Sequence, residues 1–165
     1  MKSNSASNWT AETILDLARS YQEGAVLTAA ADLDLFRALA RAPRTGAELA
    51  HDLGCDLRGL TILLDALAAL RLLGKSGDRY SLPPGLGDFL TPDGPHSVLA
   101  MAQHQGSCLR NWAQLATVVK AGRPAQRLPG ARGAAGDQAA FIGAMHNVSA
   151  PNADQVIQSV QPLRF

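Results

Sequence analysis

The sequence predicts a mainly α fold, a winged helix-turn-helix with a small β-hairpin wing and additional C-terminal helices. Three observations carry that prediction. Of the 165 residues, 29 are alanine and only 5% are aromatic, a composition that favours helices packed closely through small side chains. Apolar residues recur at three- and four-residue intervals, first at Ile14, Leu15, Leu17 and Ala18. Residues 45–82 then read in order as short helix, tight turn, longer helix and β-ribbon, which is the order of a winged helix. With 47% apolar and 18% charged residues, disorder is excluded for the chain as a whole.

Residues 1–9 read as a flexible tail, and helical spacing begins at Thr10. The stretch from Gly24 to Ala31 carries no charge, so a helix there needs a dry surface, in its own core or against a second copy. Its apolar face continues through Leu33, Leu35, Phe36 and Leu39 until Pro43. Thr45-Gly46-Ala47-Glu48 is a capping box opening a short helix that Gly54 ends. Asp56 caps the next helix, expected over Leu57–Leu73, and two short strands follow around a Gly/Asp turn before Pro83. Leu86–Leu90 allows one helical turn, and Ser97 starts a long helix to about Ala121. Residues 10–121 thus form the main helical domain. Pro124, Pro129 and four glycines make 122–136 a flexible loop, and 137–165 carries two further helical segments separated at Pro151.

Charge and motif spacing exclude several functions. The chain has 15 basic and 14 acidic residues, a net charge of +1, and its first 82 residues hold 9 cations against 10 acids. On the longer helix of the predicted winged unit, Arg58, Thr61 and Asp65 form a neutral stripe, whereas a DNA-reading helix presents several cations to phosphates. No stretch approaches 18 uninterrupted apolar residues, so no membrane span is expected. Cys55 and Cys108 lack disulfide or zinc spacing, and the expected setting is the reducing cytoplasm. Gly74-Lys75-Ser76 follows a helix rather than a strand and is a hairpin turn, not a phosphate loop.

Two helix faces remain as candidate binding surfaces. His104 shares a semi-apolar stripe with Met101, Cys108 and Trp112. Phe141, Met145 and Val148 recur at i, i+4 and i+7 beside His146 and Asn147, a pattern that serves either core packing or an adaptable wall for an aromatic ligand.

The order of these segments resembles the N-terminal dimerisation portion of the caffeate-type O-methyltransferases and their bacterial relatives that modify aromatic polyketides. The matching residues are Ala30-Ala31-Asp32-Leu33-Asp34-Leu35-Phe36, the Thr45–Ala50 cap, Leu63-Leu64-Asp65-Ala66-Leu67, Leu70-Arg71-Leu72-Leu73 and Asp78-Arg79-Tyr80-Ser81-Leu82. Trp112-x-x-Leu115, Lys120-Ala121-Gly122-Arg123-Pro124 and Phe141-x-x-Ala144-Met145 complete the likeness, from about Thr13 to Val160.

The resemblance implies a homodimer whose winged helix does not read DNA. It implies that Phe141 and Met145 wall an aromatic substrate, with His146 as a polar contact and Trp112 as a structural residue. It also implies S-adenosylmethionine as the cofactor of an intact enzyme, bound in a second domain with the catalytic base, so that this chain alone holds no cofactor and no catalysis. On that reading the sequence stops near the first strand of a cofactor domain. A stand-alone winged-helix transcriptional regulator with a ligand-sensing extension is the alternative.

Overall fold

The computed structural model describes residues 9–160. Most of the tail expected at 1–9, and the final segment 161–165, lie outside the described residues. Helix α1 (Ala11–Arg19) opens on a reciprocal cap in which Thr10 Oγ1 accepts from the Thr13 amide and Thr13 Oγ1 accepts from that of Thr10. Helix α2 (Tyr21–Asp32) follows, and Asp34, in the left-handed conformation at φ 54°, turns the chain into α3 (Leu35–Leu39). The charge-free part of α2 finds its dry surface within the chain: Thr28, Ala30 and Ala31 are buried. The apolar face left without a neighbour belongs instead to α1, where Ile14, Leu15 and Leu17 are exposed.

The central unit forms as its local signals dictate. Strand β1 (Arg44–Thr45) leads into α4 (Gly46–Leu53), capped reciprocally by Thr45 and Glu48 and ended by Gly54 at φ 63°. Helix α5 (Leu57–Ala69) starts on Asp56, whose carboxylate accepts from the Gly59 amide at 2.7 Å. It ends four residues short of the expected Leu73, because Arg71 adopts φ 60° and the Leu72 amide turns back to the Leu67 carbonyl. Strands β2 (Gly74–Ser76) and β3 (Arg79–Ser81) form the hairpin, and β1 adds to β3, giving the antiparallel order β1-β3-β2. The two-residue β1 had no signal of its own; it is extended only because Thr45, as cap, must be.

Helix α6 (Gly87–Leu90) is the expected single turn. The helix expected from Ser97 to Ala121 is two helices, α7 (Leu99–Trp112) and α8 (Leu115–Ala121), broken at Ala113–Gln114. Gln114 leaves the helical path to clamp the following loop, accepting the Gln126 amide and donating to its carbonyl. Helix α9 (Gly133–Val160) runs through Pro151 without interruption. A proline inside a helix removes one backbone bond at a cost of about 3 kcal/mol, and its neighbours Ser149, Ala150, Asn152 and Ala153 are exposed, so among the described residues nothing packed on this stretch within the chain offsets that cost. The core consists of α2–α6 and the face of α7 turned to them, centred on the fully buried Phe36, Leu35, Leu49, Leu64 and Leu67.

Candidate functional site

Helices α7 and α9 approach one another through small residues. A side-chain carbon on Gly143 would lie 2.6 Å from Cβ of Ala100, so the two backbones are as near as an alanine on one side permits. That proximity brings His104 of α7 edge-on to Phe141 of α9, ring centroids 5.3 Å apart and planes at 60°. One turn along α7, Cys108 Sγ lies 3.5 Å from His104 Nε2. His104 Nδ1 is buried with no hydrogen-bond partner among the described residues, so the ring is only half satisfied.

Phe141 and Met145 are 48% and 40% exposed, and with Val148 they form a ridge of large apolar side chains on the open face of α9. His146 and Asn147 line a different feature, a cleft of about 480 Å³ bounded by Asp34, Arg37, Ser97, Gln103 and Arg132. Asn147 is fixed there by donating from Nδ2 to the Ser97 carbonyl at 2.8 Å. Trp112 is 68% exposed, so it fills no core position; it lines a hollow of about 210 Å³ with Tyr21, Thr28 and Cys108. Of the five residues singled out from sequence, His104, Phe141 and Met145 share the α7–α9 region, while His146 and Trp112 line separate depressions.

Sequence reasoning missed the ion-pair network beneath this region. Arg110 donates both hydrogen bonds of one Nη2 to Asp137, at 2.8 Å each, while its Nη1 reaches Asp32 Oδ2 at 3.4 Å. Asp32 also accepts the Ala131 amide at 3.2 Å, and Arg132 Nε lies 3.8 Å from its other oxygen. Arg110 Nε donates to the Leu128 carbonyl and Asp137 accepts the Gly130 amide, so the segment expected to be a flexible loop is tied to α2, α7 and α9. The available signals were Asp32 and Asp34 after the charge-free Gly24–Ala31 stretch and an arginine in the semi-apolar α7. Their partners lie 78 and 27 positions away, beyond the reach of local spacing.

Three cations of the central unit, Arg44, Lys75 and Arg79, are also taken up internally, while Arg58 and Arg71 are exposed and make no ion pair among the described residues. Lys75 Nζ and the Tyr80 hydroxyl both donate to Asp65 Oδ1 at 2.6 Å. The Lys75 hydrogen bond first, then that of Tyr80, holds the Asp65 carboxyl below its ordinary value; the same bond raises Lys75. Burial, then the Asp65 contact, raises the Tyr80 phenol. Arg44 pairs with Asp52 at 2.6 Å, and Arg79 donates to the Pro43 carbonyl and lies 3.8 Å from Glu48. No described helix is long and apolar enough to cross a membrane.

Residues 15–92 match the family model of the O-methyltransferase dimerisation domain. The chain carries an O-methyltransferase dimerisation domain. It is 34% identical over 117 residues to acetylserotonin O-methyltransferase of Mus musculus, covering 67% of this chain and 30% of that protein. It is 33% identical over 144 residues to the tetracenomycin polyketide synthesis 8-O-methyl transferase of Streptomyces glaucescens, covering 82% of this chain and 42% of the relative. The structure of human N-acetylserotonin methyltransferase in complex with SAM superposes with a TM-score of 0.66 at 26% identity, over 94% of this chain and 50% of that one. The chain therefore spans half or less of the length of these proteins. The match to the dimerisation domain ends before α7, so the α7–α9 region lies beyond it. For S-adenosylmethionine the resemblance implies a glycine-rich turn between a buried strand and a helix. Among the described residues the strands are two or three residues long and antiparallel, and the cofactor does not fit them.

Proposed function

We propose that this chain is the dimerisation and acceptor-pocket portion of an S-adenosylmethionine-dependent O-methyltransferase acting on a phenolic hydroxyl of an aromatic small molecule in secondary metabolism. The match over residues 15–92 carries the reading. In it, α3–α5 and the three-stranded sheet are a winged helix used as a scaffold, and the protein is a cytoplasmic homodimer. The exposed apolar residues of α1 support the dimer, since Ile14, Leu15 and Leu17 lie on a helix with no buried residue of its own. Phe141 and Met145 supply one wall of the acceptor pocket: a flat aromatic face and an adaptable thioether suit a planar ring. His104 packs edge-on against Phe141 and holds that ring in place, while His146 and Trp112 line depressions beside the wall rather than forming it. Donor binding and proton removal fall to sequence of the relatives that this chain does not cover.

Sedimentation at micromolar concentration tests the dimer: twice the chain mass is expected, and a monomer overturns it. Incubated with a labelled methyl donor and a phenol, this chain alone is expected to form no methylated product, and turnover would refute that division of labour. The regulator alternative has no support from the central unit, whose Arg44, Lys75 and Arg79 are held by internal acids. Salt-dependent binding to duplex DNA would revive it.

A further inference from the structure

The cleft beside His146 has a composition that the acceptor wall does not use. Its volume of about 480 Å³ is in the range of small-molecule sites. Arg37 stands exposed at the cleft and makes no ion pair among the described residues. Arg132 donates from Nη2 to the Gly136 carbonyl at 2.6 Å, its Nη1 lies 3.9 Å from Asp34 Oδ1, and its buried Nε, without a hydrogen-bond partner among the described residues, lies 3.8 Å from Asp32 Oδ1. Asn147 is immobilised through Nδ2, yet its Oδ1 is buried with nothing donating to it. Buried polar atoms left open are costly and ask for a partner. The loop that closes the cleft is itself fixed. His96 donates its amide to the Asp88 carbonyl at 3.1 Å, and Ser97 donates to Gly94 at 3.1 Å.

Guanidinium donors and open acceptors thus share one cavity. A simple anion would meet Arg37 and Arg132 but be repelled by Asp34 and leave Asn147 Oδ1 open. A simple cation would meet Asp34 and Asn147 but face two guanidiniums. A zwitterion satisfies both sets, its carboxylate on Arg37 and Arg132 and its ammonium on Asp34 and Asn147 Oδ1. Leu99 and Ala100 line the same cleft and suit an aliphatic side chain. We propose that this cleft binds a free α-amino acid with an aliphatic side chain, at a site separate from the acceptor wall.

The test titrates the full 165-residue chain, observed by ¹⁵N NMR and calorimetry, with three probes of matched shape: L-leucine, 4-methylpentanoate and isoamylamine. Saturable binding of L-leucine is expected, with shifts at the Asn147 side-chain amide and residues 94–99. Each one-charge analogue should bind about tenfold more weakly, the equivalent of ~1.4 kcal/mol. Arg37→Gln alters an exposed side chain and should weaken L-leucine while leaving isoamylamine unchanged. Asp34→Asn keeps a residue type that accepts the left-handed backbone and should weaken L-leucine while sparing 4-methylpentanoate. Absence of saturable L-leucine binding, equal binding of the three probes, or indifference to both substitutions would overturn the proposal.

Discussion

Replacing Asp32 probes the network that joins α2, α7, α9 and the 123–132 segment. Its side chain is only 11% exposed and serves three groups: Arg110 Nη1 at 3.4 Å, the Ala131 amide at 3.2 Å and Arg132 Nε at 3.8 Å. Breaking a buried pair by removing one partner costs roughly 3–5 kcal/mol when the other charge is left alone. Here Arg110 keeps two hydrogen bonds of 2.8 Å to Asp137, so its charge stays compensated. What is lost in Asp32→Ala is two hydrogen bonds at the long end of the range and a weak attraction for Arg132. At about 1–1.5 kcal/mol per bond, the expected cost is ~2–3 kcal/mol. Asp32→Asn retains an acceptor for the Ala131 amide and should cost only about 1 kcal/mol. Arg110→Met leaves Asp32 and Asp137 facing one another and should cost most, ~3–5 kcal/mol. Urea and thermal unfolding followed by circular dichroism, at one fixed protein concentration, rank the three. At roughly 2–4 °C per kcal/mol for this size, Asp32→Ala should lower Tm by about 5–10 °C. A cost for Asp32→Ala below about 0.5 kcal/mol, typical of a surface change, or an Asn variant as unstable as the Ala variant, would refute the reasoning.

Gly143→Ala gains helix propensity of about 1 kcal/mol but drives a methyl to 2.6 Å from the unyielding Ala100 Cβ, so overpacking of ~1–3 kcal/mol should win; an unchanged melting temperature would contradict this. Thr45→Ala removes the cap that accepts the Glu48 amide at 3.2 Å and should cost about 1 kcal/mol in denaturant unfolding. Acid should loosen the central unit: Glu48, Asp52 and Asp65 are held below ordinary values of 4.5, 3.8 and 3.8 by the Thr45 backbone, His51 and Lys75 respectively. Their contribution is present above those values and lost as pH falls through the depressed ones, so amide exchange at residues 44–81 should rise there, less steeply in Asp65→Asn. In alkali the sign reverses for Lys75 and Tyr80, both raised, from 10.5 and 10.0; hairpin stability holds below those values and falls as pH passes the raised ones.

Legibility tracked the range of the interaction. The Thr45–Glu48 box, the Asp56 cap and the Gly54 stop were readable because donor and acceptor are within three or four residues. Where tertiary contact decides, spacing failed. The break between α7 and α8 depends on Gln114 reaching Gln126, and the ordering of the 123–132 segment depends on Asp32 and Asp137. Local rules end a helix before Pro151, yet α9 continues. At the candidate site, the i, i+4, i+7 spacing identified the Phe141–Met145–Val148 ridge. Which way it faced was not readable, because period alone does not distinguish a core stripe from an exposed one.

The alanine content acquires a definite role in that ridge. Along α2, α7 and α9 many of the buried positions are held by small residues, Ala30, Ala31, Ala102, Ala140 and Ala144 with Gly106, beside the larger Leu99 and Gln103 of α7. Small residues at the contacts let the three backbones come close and let Arg110 bridge Asp32 and Asp137 across them. The same arrangement leaves no inward space for large side chains, so Phe141, Ile142, Met145, Val148, Val156 and Ile157 all stand exposed on α9. A helix packed inward through alanine and outward through phenylalanine, isoleucine and methionine has its larger hydrophobic area facing away from its own chain. Contact with further protein or an aromatic ligand would cover that exposed apolar surface, at roughly 25 cal/mol per Å². That imbalance supports the proposed reading, in which α9 completes a pocket together with other surfaces.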